Sequence, residues 1–237
     1  MPGWISVPSS RTAQATPRAQ RVFDAAFASR FAAVCGVVPL ALLGWDALHG
    51  RLGVDGIDYA IRTTGLLGLV FLMLTLTVTP LRRLTGWAPI YAARRPLGLA
   101  GFGYIALHFG IYFWWDREGS LGRTLDEILA RRYLWFGFGA LLLMLPLAIT
   151  STDRMVRRLG ARRWRQLHRL VYPAVIAGVV HYYLQVKADT SQPRAFAIVL
   201  GALLGFRVVA GVLDRRRAAS RARGRAARPS PPVKPAR

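Results

Sequence analysis

Cysteine is almost absent from this chain of 237 residues, and acidic residues are few. The single cysteine, Cys35, excludes a disulfide framework, a CxxC redox pair and any zinc or iron–sulfur site built from four cysteines. The chain also lacks a GxxxxGKS/T phosphate-binding loop and an HExxH zinc motif. Several common classes of nucleotide-dependent, zinc-dependent and thiol-dependent protein are therefore excluded.

Basic residues and apolar residues are both abundant. Lys and Arg number 33 against 11 Asp and Glu, so the formal net charge is +22, and 53% of the residues are hydrophobic. A mean hydropathy of +0.30 is too apolar for a disordered basic chain or for a typical nucleic-acid-binding domain. The two properties are compatible when apolar blocks alternate with charged loops. This layout indicates a multi-pass membrane protein with no nucleic-acid partner.

Six apolar blocks are each close to the length of about 20 residues that a helix needs to cross a bilayer. They occupy residues 31–48, 59–81, 97–115, 133–150, 167–186 and 193–213. A strand interpretation fails, because the blocks are continuous rather than alternating and are much longer than a strand. The sequence therefore predicts an all-α, multi-pass transmembrane helix bundle with about six spanning helices.

The strongly basic segments are every second one along the chain, and this alternation predicts the orientation. By the positive-inside rule, both termini and the loops around 82–95 and 151–169 lie in the cytoplasm, as in a protein of the cell inner membrane. We divide the chain into a basic cytoplasmic arm (1–30), a six-helix transmembrane domain (31–213) and a basic, disordered cytoplasmic tail (214–237). The tail is expected to lie on anionic membrane lipid.

Two of the four histidines are predicted to lie at similar depth inside the membrane. At 1.5 Å per residue, His108 is about 10 Å and His181 about 7 Å below the outer ends of the third and fifth blocks. Ionisable residues are costly in a bilayer and tend to mark a site, although packing histidines are the simpler alternative. Two imidazoles facing across a bundle are what a bis-histidine haem requires. No carboxylate or cysteine accompanies them, as zinc or a proton relay would need.

His168 opens the fifth block, about 20 Å further in than His181. The place where a second histidine pair would need its partner is held by Arg94 and Arg95, so we predict one haem, with His108 and His181 as the metal ligands. His168 is assigned to a cytoplasmic-side site for a quinone or a flavin. For Arg82, Arg94 and Arg95, setting the topology is the simpler interpretation, and anchoring a cofactor phosphate or a haem propionate is the functional alternative.

Several segments resemble known signatures when they are taken together. They are TLTVTPLRR (75–83), RRPLGL (94–99) followed by Tyr104 and His108, TS (150–151), RLG (158–160) followed by Trp164, and LHRL (167–170) followed by Tyr172. The combination resembles the MsrQ (YedZ) family, which belongs to the ferric-reductase-like transmembrane group. The resemblance covers residues 31–213, and the family's histidines correspond to His108, His168 and His181.

The resemblance implies a b-type cytochrome of the inner membrane that takes electrons from the quinone pool. It would pass them to a periplasmic, molybdopterin-containing methionine sulfoxide reductase subunit that repairs oxidised proteins. FMN enters as a cofactor by this resemblance alone. The chain would then be an electron-transfer subunit without catalytic side chains of its own. Two alternatives stay open, namely a ferric-reductase-like electron carrier with another partner and a cofactor-free membrane transporter.

Overall fold

The structure, a computed structural model, describes residues 18–226, and every regular element in this range is helical. The α-helices are α1 (Arg18–Leu48), α2 (Gly56–Thr85), α3 (Arg94–Ile111), α4 (Leu121–Ala130), α5 (Arg132–Ile149), α6 (Asp153–Leu159), α7 (Ala161–Leu167), α8 (Val171–Gln185) and α9 (Ser191–Ala226). Short 3-10 turns at Ala88–Ala93 and His168–Leu170 precede α3 and α8, and a π-helical turn at Tyr112–Asp116 follows α3. The prediction of an all-α, multi-pass bundle is confirmed.

Five helices between residues 18 and 226 are long and apolar enough to cross a membrane. They are Asp24–Leu48, Gly56–Thr85, Ala88–Asp116, Arg132–Ile149 and Ser191–Arg221. The remaining predicted span, 167–186, is only partly α-helical, because α8 has 15 residues and covers about 22 Å. Its start is delayed by the 3-10 turn at His168–Leu170, and Pro173, which has no N–H to donate, is accommodated in the first turn of α8.

The first and last helices extend beyond the apolar blocks. Helix α1 begins at Arg18 instead of residue 31, and α9 continues to Ala226 instead of ending at residue 213. The start of the predicted disordered tail is therefore helical, because its Ala-rich and Arg-rich sequence favours the helix. The predictions for residues 1–17 and 227–237 lie outside the described residues.

The core of the bundle is centred on α2. Leu72 and Leu76 of α2 are almost completely buried against Met144 of α5, Val175 of α8 and Leu200 of α9. These contacts place α2, α5, α8 and α9 around one apolar centre. Helix α8, which carries His181, therefore packs against α2, the helix that lies beside His108.

Helices α2 and α3 approach each other closely at two glycines. A Cβ atom at Gly68 would lie 2.8 Å from Ile105 Cγ1, and one at Gly101 would lie 2.8 Å from Leu72 Cδ2. Small residues let helix backbones pack tightly inside a membrane, where the hydrophobic effect does not drive association. This contact holds α3, and with it His108, against α2.

The bundle has two chemically different ends. We call the end formed by residues 82–95 and 151–169 the basic end, since both connections there are rich in arginine. We call the opposite end, where α3 and α8 finish, the histidine end. Ion pairs tie the basic end together: Arg95 lies 2.7 Å from Asp153, and Arg83 lies 2.7 Å from Asp214.

Candidate functional site

The structure brings the imidazole rings of His108 and His181 together near the histidine end. The two ring centres are 6.2 Å apart, and the ring planes are inclined at 77°. His108 comes from the last turn of α3, and His181 comes from the last two turns of α8. The two histidines, which residue counts predict to lie at similar depth, thus form a facing pair.

Each ring is oriented by a backbone carbonyl of a neighbouring helix. His108 Nδ1 lies 2.8 Å from the carbonyl oxygen of Ile61, and His181 Nδ1 lies 2.8 Å from that of Tyr133. A carbonyl only accepts hydrogen bonds, so Nδ1 must carry the proton in both rings. In the neutral rings the lone pair is then on Nε2. Carbonyl bonds of this kind commonly set the tautomer of metal-ligating histidines.

A glycine stands behind each ring. A Cβ atom at Gly65 would lie 2.9 Å from His108 Nδ1, and one at Gly137 would lie 2.8 Å from His181 Nδ1. Each glycine is four residues after the accepting carbonyl, Ile61 on α2 and Tyr133 on α5. The same local construction is thus used twice: a helix carbonyl, a glycine one turn later, and a histidine from the adjoining helix. Sequence reasoning missed these positions, although a glycine in the span before each histidine span was a visible signal.

The spacing of the rings would allow both to bind one metal ion. With metal–nitrogen bonds of about 2.0 Å and roughly 1.1 Å from a ring nitrogen to the ring centre, a shared ion separates the centres by about 6.2 Å. In the part of the chain that the structure describes, no three His, Cys, Asp or Glu side chains gather as a metal site. Two nitrogen donors are too few for zinc, but they suit haem iron, whose four other ligands belong to the tetrapyrrole.

Two buried donors lie just beyond His108. Tyr112 follows it by one helical turn, and within residues 18–226 neither Tyr112 Oη nor Arg117 Nε has a hydrogen-bond partner. Buried polar atoms normally have partners, so these donors fit an acidic group of a bound molecule. The guanidinium of Arg117 lies 5.2 Å from the centre of the Tyr112 ring.

Arg117 is also tied to the short helix α4 at this end. Its Nη2 is 3.0 Å from an oxygen of Asp116, and its Nη1 is 2.5 Å from an oxygen of Glu127. Burial opposes the charge of Arg117, but Tyr112 and the two carboxylates together raise its pKa above the ordinary value. Arg117 therefore stays charged at this edge of the site.

His168 lies in a separate cluster at the basic end. Its ring stacks on Trp164, with centres 3.8 Å apart and planes 28° apart, and its Nε2 is 3.4 Å from the hydroxyl oxygen of Ser151. Arg95 Nε donates to the carbonyl oxygen of Ser151 at 2.6 Å. Two of the predicted residues, His168 and Arg95, are thus brought together through Ser151.

Arg82 and Arg94 gather around a different side chain. Their guanidinium groups lie 5.5 and 5.8 Å from the centre of the Tyr91 ring, and Arg94 Nη1 is 3.3 Å from the Tyr91 hydroxyl. Arg94 begins α3, the helix that carries His108 near its other end, so the two are about 20 Å apart along the axis. These arginines cannot reach a propionate of a group held between His108 and His181.

Comparisons with known proteins identify the family to which this chain is similar. The ferric reductase like transmembrane component family matches residues 64–179, a range that includes His108 and ends two residues before His181. The protein-methionine-sulfoxide reductase heme-binding subunit MsrQ of Rhodospirillum rubrum is 46% identical over 183 residues, which cover 77% of this chain and 88% of that protein.

Two further relatives carry the same name. The protein from Xanthomonas euvesicatoria pv. vesicatoria is 42% identical over 191 residues, covering 78% of this chain and 87% of its own. The protein from Deinococcus radiodurans is 45% identical over 168 residues, covering 71% and 83%. No solved structure matches the chain.

Proposed function

Because this chain belongs to the MsrQ family, we propose that it is a b-type cytochrome that carries electrons across the inner membrane to a periplasmic methionine sulfoxide reductase subunit. The observation that carries the proposal is the facing pair of His108 and His181, whose ring centres are 6.2 Å apart. The relatives from Rhodospirillum rubrum and Deinococcus radiodurans, which this chain matches over more than 80% of their length, are named as heme-binding subunits. Their names support haem b as the group between these rings.

The side chains hold and orient the group, and haem supplies the one-electron chemistry when it is bound. The carbonyl oxygens of Ile61 and Tyr133 accept hydrogen bonds from the Nδ1–H groups, which makes each Nε2 a stronger electron-pair donor to a metal. Apolar helices around the rings exclude water. Stronger donation to the metal and a low local dielectric are the two features by which this chain tunes a haem potential.

The two unpartnered donors beside the pair fit the periphery of the same group. Haem b carries two propionates, and two buried donors would hold one of them: Tyr112 Oη, one turn beyond His108, and Arg117 Nε, directly after the π-helical turn. Arg94 and Arg95 lie about 20 Å from His108 along α3, and Arg82 lies about 25 Å along α2 from Gly65, which contacts His108, so these arginines are too far away to do so. These arginines are instead proposed to keep the basic end on the cytoplasmic side and to bind the electron donor there.

The proposed topology places the histidine end in the periplasmic half of the membrane. The basic end then faces the cytoplasm by the positive-inside rule. This orientation puts the histidine pair near a periplasmic, molybdopterin-containing partner, as the family resemblance implies. The electron path would run from the cytoplasmic half of the bundle outward.

The cluster at the basic end is the proposed entry point for electrons. The stacked rings of Trp164 and His168 and the cation of Arg95 surround Ser151, and these groups suit a planar carbonyl compound such as a quinone. A flavin phosphate would also suit the arginines. FMN remains a cofactor proposed by family resemblance.

Absorption spectra of single-histidine variants test the assignment. We expect detergent-purified His108→Ala and His181→Ala proteins to lose the low-spin haem spectrum, because each removes one of the two imidazoles that would hold the haem iron. His168→Ala should keep the spectrum and slow reduction by a quinol. His49→Ala is the matched control, since within residues 18–226 this exposed histidine contacts Trp45 near the end of α1, far from either cluster, through its Nδ1 and its ring. A His108→Ala protein with full haem content and an unchanged Soret band would refute the ligand assignment.

A ferric-reductase-like carrier with a different partner is the second candidate, and the family match over residues 64–179 favours it. The two functions differ in their electron acceptor. A dithionite-reduced protein should be reoxidised rapidly by a periplasmic methionine sulfoxide reductase subunit and slowly by a ferric chelate. The reverse order of rates would support the second candidate.

A further inference from the structure

One arginine lies inside the apolar run of α9. Arg207 is seven residues before Asp214, so it lies about 10 Å from the charged end of the run. Its side chain does not extend toward that end. Instead Nη2 donates to the carbonyl oxygen of Leu76 at 2.6 Å, and Nη1 donates to the Tyr172 hydroxyl at 3.3 Å. The charge is thereby held between α2, α8 and α9.

This charge has no counterion among the described residues. The nearest acid on the same face of α9, Asp214, is paired with Arg83 at 2.7 Å, and the two groups that accept from Arg207 are neutral. Arg207 Nε is also buried without a partner in residues 18–226. A charged residue in a membrane span is costly and commonly marks a binding site. An anion beside Arg207 would supply both the missing counterion and a hydrogen-bond acceptor for Nε.

A cleft of about 160 Å³ opens next to Arg207 between α2 and α9. It is lined by Thr79, Arg83, Phe206, Arg207, Ala210 and Gly211. Thr79 and Arg83 on α2, and Ala210 and Gly211 on α9, all lie closer than Arg207 to the basic end. The cleft therefore runs from the buried guanidinium toward the membrane surface. A Cβ atom at Gly211 would meet no other atom within 4 Å, so the space beside it is open.

We propose that this cleft binds the phosphate group of an anionic phospholipid. The buried Nε of Arg207, which has no partner among the described residues, the hydroxyl of Thr79, and the guanidinium of Arg83, which also pairs with Asp214, are the donors that the cleft offers to a phosphate. A lipid is the expected source because the cleft opens at the end of the apolar run, where α9 continues into three consecutive arginines. Val208, Val209 and Val212 are exposed on α9 and offer an apolar surface for the acyl chains.

A cleft-filling variant with a matched control tests the site. Gly211→Leu places a side chain in the cleft, whereas Gly201→Leu adds the same side chain to α9 where a Cβ atom also meets nothing within 4 Å. The full-length protein is delipidated in detergent and titrated with dioleoylphosphatidylglycerol or dioleoylphosphatidylcholine. Native mass spectrometry counts the bound lipids. Thermal unfolding confirms that each variant is folded, and Ala210→Leu replaces Gly211→Leu if the latter does not fold.

We expect the first phosphatidylglycerol to bind the unaltered protein and Gly201→Leu about tenfold more tightly than it binds Gly211→Leu, and phosphatidylcholine to show no such difference. Arg207→Gln should weaken the first binding step as Gly211→Leu does. Equal titrations of the unaltered and cleft-filled proteins would overturn the proposal. Inorganic phosphate at millimolar concentration should leave the first lipid bound. Displacement of the lipid by phosphate would show that the cleft binds a free anion, and it would overturn the proposal that the ligand is a phospholipid.

Discussion

Replacing Gly137 with alanine directly perturbs the support of one histidine. The added Cβ atom would lie 2.8 Å from His181 Nδ1 and 2.9 Å from Cε1 of the same ring. No rotation of a methyl group relieves this contact, because the carbon atom itself is too close. The imidazole must therefore move away from α5, or α5 and α8 must separate.

The size of the movement follows from ordinary contact distances. Moving from 2.8 Å to an ordinary contact of about 3.4 Å requires a shift of about 0.6 Å. The same shift stretches the 2.8 Å bond from Nδ1 to Tyr133 O beyond the usual range of about 2.7–3.2 Å. Metal–ligand distances tolerate only about 0.2 Å, so the ring can no longer hold both the carbonyl and the metal.

The expected effect falls on cofactor binding more than on folding. Losing an oriented partner of a metal-ligating histidine typically lowers metal affinity by about 10- to 100-fold. Alanine is a better helix former than glycine by about 1 kcal/mol, which offsets part of the strain in the protein without cofactor. Haem affinity is measured by titrating haem into the purified apoprotein and following the Soret band, and thermal unfolding is measured in parallel.

Gly139→Ala is the matched control on the same helix, because a Cβ atom there meets nothing within 4 Å. It should leave haem affinity unchanged. If Gly137→Ala binds haem as tightly as Gly139→Ala while both are folded, the contact between Gly137 and His181 does not position the ligand. The proposal that a glycine one turn after the accepting carbonyl makes room for each histidine ring would then be wrong.

Three other predictions concern the surroundings of the two ends. Glu127→Gln should lower the free energy of unfolding by about 1–3 kcal/mol, because Arg117 and Arg131 would each lose the carboxylate oxygen to which they donate. Asp153→Asn, at an exposed pair, should cost about 0–1 kcal/mol in the same denaturation assay. Trp164→Leu should remove the ring stacked on His168 and slow reduction by a quinol without altering the haem spectrum; an unchanged rate would exclude this cluster as the entry point. The backbone N–H and hydroxyl of Ser191 lower the pKa of Asp189, so its stabilising contribution is present above the unfolded value of about 3.9 and is lost as the pH falls through the lower folded value. The protection of the Ser191 amide from exchange, relative to its intrinsic rate at each pH, should therefore fall in acid, and Asp189→Asn should abolish this pH dependence.

Sequence reasoning was reliable wherever a property depends on composition and on distance along the chain. Hydrophobic blocks predict helices because a membrane requires each segment to satisfy its own backbone hydrogen bonds. The constant rise of 1.5 Å per residue likewise predicts that His108 and His181 have similar depth. The same rule separates Arg94 from His108 by about 20 Å, so the propionate alternative for this arginine could have been rejected before the structure was known.

Interruptions and extensions of helices were harder to predict. The 3-10 turn at His168–Leu170 shortens α8, and no hydropathy pattern distinguishes it from a continuous span. Helix α9 runs on to Ala226 because its charged end consists of good helix formers, whereas composition alone had indicated disorder. In both cases the local backbone preference decided the boundary.

The sequence by itself determined that the chain forms apolar helices, that most of its charge lies in alternate loops, and that two histidines lie at one depth. Only the tertiary structure decided that their rings face each other, that the carbonyls of Ile61 and Tyr133 accept their hydrogen bonds, and that Arg207 is held away from the membrane surface. The physical reason is that depth depends on the number of residues along one helix. The direction of a side chain depends on how helices distant in sequence are rotated and packed against one another.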